Sequence, residues 1–136
     1  MVCSPMRRCL ETAAILYPEM RPFVVEELRE CDFGDFEGHN YAELNGRADY
    51  QAWIDSNGML PFPGGESREA FADRCCAAFS QVMAGEGEKD VAFIVHGGTI
   101  MAIMERFALP PRDYFSYQVR NGTGFELHAD GSWKVL

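Results

Sequence analysis

The sequence predicts an α/β domain with a largely parallel sheet between layers of helix, and three observations point to it. Residues 91–95, Val-Ala-Phe-Ile-Val, form an uninterrupted apolar run of the kind found in strands covered on both faces. Helix-like and strand-like segments alternate along the chain, with no internal repeat, low-complexity tract or linker. The length of 136 residues, with 47% hydrophobic and 24% charged, suits one soluble domain spanning residues 1–136.

Each element has a local reason. Ser4-Pro5 reads as a helix start, with Ser4 as N-cap and Pro5 at the first helical position, where a missing N–H costs nothing. Met6, Leu10, Ala13, Ala14 and Tyr17 follow at helical spacing, and Pro18 closes the element. Only Met1-Val2-Cys3 precedes this helix, and these residues read as the end of a strand whose beginning is absent, so an N-terminally truncated domain is expected. Phe23 to Leu28 reads as a short strand, followed by two short helices over Tyr41 to Leu44 and Arg47 to Ile54. After the Gly/Pro-rich stretch NGMLPFPGGES, Glu66 to Ala84 is expected as a long helix, with Phe71, Cys75, Phe79 and Met83 four residues apart. Val91 to Val95 is the buried strand and Thr99 to Phe107 the next helix. Tyr117–Val119, Phe125–His128 and Trp133–Val135 are expected strands, the last two joined by a turn at Ala129-Asp130-Gly131.

Composition excludes several classes. A net charge of −9 repels phosphate backbones, which argues against nucleic-acid and anionic-membrane partners but leaves room for a small phosphate in a locally basic pocket. No apolar run reaches the ~18 residues needed to span a bilayer, and the N-terminus lacks a signal-peptide layout, so the cytoplasm is the expected location. Cys3, Cys9, Cys31, Cys75 and Cys76 are odd in number and lack CxxC spacing, which suggests neither a disulfide framework nor a zinc site.

Three segments carry candidate chemistry. In VAFIVHGGT the strand ends at His96, and Gly97 and Gly98 permit a tight turn into a helix whose N–H groups favour an oxyanion. His96 would add a charged donor or a proton shuttle, the competing reading being a satisfied structural histidine. In CSPMRRCLETA, Arg7 and Arg8 lie on a first helical turn, where one guanidinium could reach the same anion and both could equally be solvated surface charges. In LRECDFGDFEG several carboxylates crowd around glycines, and one could protonate a leaving oxygen. Spacing leaves Glu30, Asp32, Asp35 and Glu37 open.

Together and in this order, these segments resemble the histidine phosphatase superfamily, also called phosphoglycerate-mutase-like: CSPMRRCLETA is similar to its SSPLxRAxQTA segment, LRECDFGDFEG to LxExxxGxxEG, and VAFIVHGGT to its strand-HGG segment. PFPGGES before the long helix is similar to the phosphatase branch, including α-ribazole phosphatases. The resemblance implies a three-layer α/β/α domain with a mostly parallel sheet, here lacking the first, central strand. It implies phosphomonoester hydrolysis through a phosphohistidine, no metal or other cofactor, and a small phosphorylated substrate. Arg8 would match the phosphate-binding arginine, Glu30 the proton donor, Glu37 a more structural glutamate, and His96 the second active-site histidine, with the Gly97 amide beside the phosphate.

The family's nucleophile lies in an Arg-His-Gly run, and none occurs in these residues. His39 and His128 do not match it and are expected to be surface or structural. These residues therefore contain no identifiable nucleophile, which keeps open a non-catalytic phosphate-binding or interaction module. The gap left by the absent strand is expected to expose sheet edges for self-association or complementation. A Cys-x5-Arg phosphatase loop is excluded by spacing, and an α/β-hydrolase by the lack of Gly-x-Ser-x-Gly.

Overall fold

The computed structural model describes residues 1–87 and 89–136. The chain divides into two compact units, one made of Met1–Glu30 with Arg74–Leu136 and the other of Cys31–Asp73.

The first unit is built on a three-stranded parallel sheet. Strand β1 (Val2–Cys3) lies in the middle, flanked by β2 (Phe23–Val24) and β3 (Phe93–Ile94). Val2 stands opposite Phe23 and Phe93, and Cys3 opposite Val24 and Ile94. Because side chains alternate across a strand, this register sorts the core into two faces. Val2, with Leu28, Ala78 and Phe93, packs on the side of helix α4 (Arg68–Glu86). Cys3 and Ile94 pack on the opposite side, against Cys9, Leu10 and Ala13 of helix α1 (Arg7–Leu16). Strand β1 is thus buried on both faces, whereas β3, expected as a buried strand, is only half-buried and Phe23 and Val24 of β2 are 65% and 44% exposed.

Helices α2 (Tyr41–Leu44) and α3 (Ala48–Asp55) belong to the second unit, and α5 (Gly97–Phe107) follows β3. Phe79 of α4 meets Phe93 at 5.1 Å and Phe107 of α5 at 5.2 Å between ring centroids. Strands β4 (Phe125–Leu127) and β5 (Trp133–Val135) pair antiparallel as a separate two-stranded sheet. They rest on a second cluster of Met104, Ala108 and Tyr117, in which Trp133 lies 5.6 Å from Tyr117 and beneath the Arg112 guanidinium at 4.9 Å. Among the described residues no strand joins β3 to β4, and no helix is long and apolar enough to cross a membrane.

Several elements differ from their expected bounds. The strand expected to run to Leu28 ends at Val24, and Glu26–Leu28 coils into a 3-10 turn that drops Leu28 into the core. Tyr117–Val119 is not a strand: Tyr114–Tyr117 forms a 3-10 turn, and the apolar alternation there reflects Tyr117 buried under Phe125 and Trp133. Helix α1 starts at Arg7, with Met6 rather than Ser4 as N-cap, because the Ser4 hydroxyl is engaged elsewhere.

The second unit is held by a backbone clasp and an aromatic cluster. Asp35 N–H donates to the Pro63 carbonyl at 2.7 Å, Glu66 N–H to the Asp32 carbonyl at 2.9 Å, and Asp32 N–H to the Glu66 carboxylate at 3.0 Å. Gly34 adopts a left-handed φ of 51°, and a Cβ there would overlap the Pro63 carbonyl, so both conformation and space demand glycine. Beside the clasp Trp53 stacks on Tyr50 and Phe62, at 6.3 and 5.1 Å, with Phe36 edge-on to all three rings.

Candidate active site

Parallel pairing brings the C-terminal ends of β1, β2 and β3 to one edge of the sheet, where α/β proteins place ligands. Ser4 follows β1 directly, and its N–H continues the ladder to the Ile94 carbonyl at 3.0 Å. His96 follows β3 by two residues and is the N-cap of α5. The chain leaves β2 through the 3-10 turn and reaches Glu30.

These ends converge on His96, which is buried. The Arg8 Nε–H donates to His96 Nδ1 at 3.1 Å, and Ser4 Oγ lies 2.7 Å from His96 Nε2. Cys9 Sγ sits 3.6 Å from both ring nitrogens. Arg8 and Cys9 are on the first turn of α1, whose start directs them toward the sheet edge. Arg7, by contrast, points to solvent and pairs with Glu11 at 2.7 Å.

Burial and then the neighbouring Arg8 charge push the His96 pKa down to about 4, so the resting ring is neutral at pH 7. Burial holds the Cys9 thiol above its ordinary value; the Arg8 charge and a hydrogen bond with Ser4 oppose that shift, and the Glu30 carboxylate adds to it. Glu30 is half-buried, and its charge is also felt at Cys75, whose pKa is raised to about 11 chiefly by burial. The loop bearing Glu30 is tied to α4 by Arg74, whose Nη1 donates to the Glu27 carbonyl at 2.6 Å and the Arg29 carbonyl at 3.1 Å.

Of the predicted site residues, Arg8 and His96 are in direct contact, Glu30 lies within electrostatic reach of their neighbour Cys9, and Gly97 opens α5 next to His96. Gly97 does not serve the tight turn expected of it: its φ is not positive, and the helix begins at Gly97 itself rather than at Thr99. A Cβ on Gly97 would meet nothing within 4 Å, so open space adjoins its Cα. Glu37 is exposed in the second unit, as are His39 beside Glu43 and, in the first unit, the half-exposed His128 beside Glu126. Ser4, Cys9 and Arg74 were not legible as site residues. A serine before proline looks the same whether its hydroxyl caps a helix or bonds a distant ring.

The family model described as "Histidine phosphatase superfamily (branch 1)" matches residues 1–136. A candidate phosphoserine phosphatase of Hydrogenobacter thermophilus is 31% identical over 138 residues, covering 98% of this chain and 68% of that protein. An acid phosphatase of Mycobacterium tuberculosis is 30% identical over 111 residues, covering 81% of this chain and 52% of that protein. Among solved structures, a mycobacterial glucosyl-3-phosphoglycerate phosphatase with VO3 superimposes with a TM-score of 0.81 at 26% identity, over 99% of this chain and 72% of that one. The α-ribazole phosphatase of Shigella flexneri gives 0.78 at 19% identity, over 99% and 70%, a likeness of fold. The chain thus spans between about half and about two-thirds of the length of these two relatives.

Proposed function

Since the chain belongs to the histidine phosphatase superfamily (branch 1), we propose that its sheet-edge pocket binds the phosphoryl group of a small phosphomonoester and serves hydrolysis through a phosphohistidine. The observation that carries this reading is the contact of Arg8 with His96 at 3.1 Å, with the exposed Gly97 opening α5 next to it. A guanidinium, an imidazole and a helix-end N–H would converge there on a tetrahedral anion. Arg8 and His96 would hold the phosphoryl oxygens, and the Gly97 amide would add a fixed dipole. Glu30, on the loop fastened by Arg74, would protonate the departing alcohol. The positive charge needed at the phosphorus is supplied by these groups without a metal. A cytoplasmic location, where cysteines are kept reduced, belongs to the same proposal.

In-line displacement also needs a nucleophile. The three histidines are His39, His96 and His128, none within an Arg-His-Gly run. That observation favours a second reading, in which the pocket binds phosphate without turnover. Hydrolysis of p-nitrophenyl phosphate by the purified chain separates the two. Turnover abolished by Glu30→Gln and by His96→Ala supports the enzyme; phosphate binding lost on Arg8→Ala, with no turnover in the parent chain, supports the binding module. Absence of both rejects the pocket. Self-association at the edge of β3 that faces away from β1 belongs to the same proposal, and sedimentation velocity of the chain over a concentration series reads it.

A further inference from the structure

The partners of His96 assign a proton. Arginine Nε can only donate, so Nδ1, which receives it at 3.1 Å, must present a lone pair. The proton of the neutral ring is then on Nε2, and the only role left to the Ser4 oxygen at 2.7 Å is acceptor. Ser4 is fully buried and its oxygen also accepts from the Met6 N–H at 3.4 Å, so the hydroxyl is held by backbone on one side and ring on the other. Both nitrogens are thereby spent: one faces Ser4 and the other Arg8, and neither offers an N–H to an anion.

We infer that Ser4 is a positioning residue that holds the His96 ring by accepting Nε2–H while Arg8 keeps Nδ1 unprotonated, so that Nδ1 takes up a proton when a tetrahedral dianion draws Arg8 away. The first half stands on hydrogen-bond geometry alone; the second rests on the phosphate-site reading above. The balance is simple. The Arg8 Nε–H leaves Nδ1 for an anion oxygen, Nδ1 accepts a proton from solvent, and the resulting imidazolium donates Nδ1–H to the anion while Nε2–H stays on Ser4. One proton enters per dianion bound. Other groups near the ring act in known directions. The Glu30 carboxylate acts on Cys9 beside the ring; Cys9 and Cys3 remain neutral thiols, the Cys3 pKa being raised to about 11 by burial and then by Cys9. Arg8 opposes the imidazolium until the anion neutralises it.

Two measurements on the full chain test this. Long-range 1H–15N spectra of the histidine rings at pH 7, assigned with His39→Gln and His128→Gln, should show His96 as the Nε2–H form. Ser4→Ala, which leaves Arg8 on Nδ1, should keep that form but lose the slowly exchanging Nε2–H signal, and Ser4→Thr, which keeps the hydroxyl, should restore it. A proton found on Nδ1 in the parent chain overturns the assignment even if Ser4→Ala does not fold, and a slowly exchanging Nε2–H signal that persists unchanged in a folded Ser4→Ala overturns the role of Ser4. For the second half the probe is sulfate, a tetrahedral dianion that does not titrate near neutrality. Calorimetry at pH 7 in buffers of different ionisation heat should give uptake of about one proton per sulfate, with Ser4→Ala binding roughly five-fold weaker, the worth of one ordinary hydrogen bond. Binding without proton uptake overturns the coupling. No sulfate binding at all overturns the anion-site reading, while the ring spectra still decide the tautomer.

Discussion

The two compact units reach stability by opposite routes. In Cys31–Asp73 the decisive contacts are backbone to backbone, with loop 32–36 clasped to loop 62–66 and an aromatic cluster beside it. In the other unit the decisive contacts at the sheet edge are between side chains far apart in sequence: Ser4 and Arg8 reach His96 across 92 and 88 residues. A clasp of peptide groups tolerates many side chains but fixes its glycines. A pocket of side chains tolerates backbone change but fixes the side chains and their protonation. Substitutions should therefore separate the units, stability following glycines in one and function following hydroxyl, guanidinium and imidazole in the other.

The largest separation is expected from His96→Ala, which should lower any phosphatase turnover by about 10²–10³-fold, measured against p-nitrophenyl phosphate, while the clasp unit keeps its hydrogen-exchange protection. A clear loss of protection there would break the comparison. Gly34→Ala should do the reverse. Left-handed strain of about 1–2 kcal/mol plus overpacking against the Pro63 carbonyl, of about 1–3 kcal/mol, should sum to roughly 3 kcal/mol of lost protection in residues 31–73.

Acid should act on the pocket unit. His96 has a native pKa of about 4 against an ordinary 6.5, so the unfolded chain binds more protons between those values. Stability carried by the neutral ring is intact above pH 6.5, falls as pH drops below it, and is fully lost near pH 4, by at most about 3.5 kcal/mol at ~1.4 kcal/mol per pH unit. Urea melts at pH 7 and 4.5 measure the loss, and His96→Gln should flatten that part of the slope. Smaller still, Arg74→Ala should release the Glu30 loop at a cost of about 1 kcal/mol, seen as faster amide exchange around Glu27 to Glu30. Least of all in energy, thiol titration at pH 8 should find the half-exposed Cys31 reacting first. Cys3 and Cys75, with pKa values near 11, should wait for unfolding.

What the sequence made legible follows the same division. The apolar run at residues 91–95 located a strand, seen at Phe93–Ile94 and half-buried, and three separated segments offered Arg7 and Arg8, a group of carboxylates and His96 as candidates, because strand ends and helix starts are local features. The role of Ser4 was hidden, since its ring partner is 92 residues away and a capping motif explains it equally well. Tyr117 was misread as strand because burial in a 3-10 turn leaves the same apolar alternation. Choosing among the carboxylates near residue 30 required a family resemblance, for nothing in their spacing says which one follows the end of a parallel strand. The clasp was half visible: the glycines marked turns, yet which carbonyl met which amide depended on two loops thirty residues apart.

The sequence has two tryptophans, and the fold assigns one to each unit. Trp53 is sandwiched by Tyr50 and Phe62, while Trp133 lies under a guanidinium and against Tyr117. Each unit thus carries its own indole in a distinct surrounding. In Trp53→Phe or Trp133→Phe the emission of the remaining tryptophan reports one half of the molecule alone, so a pair of denaturation curves would show whether clasp and pocket melt together or in turn.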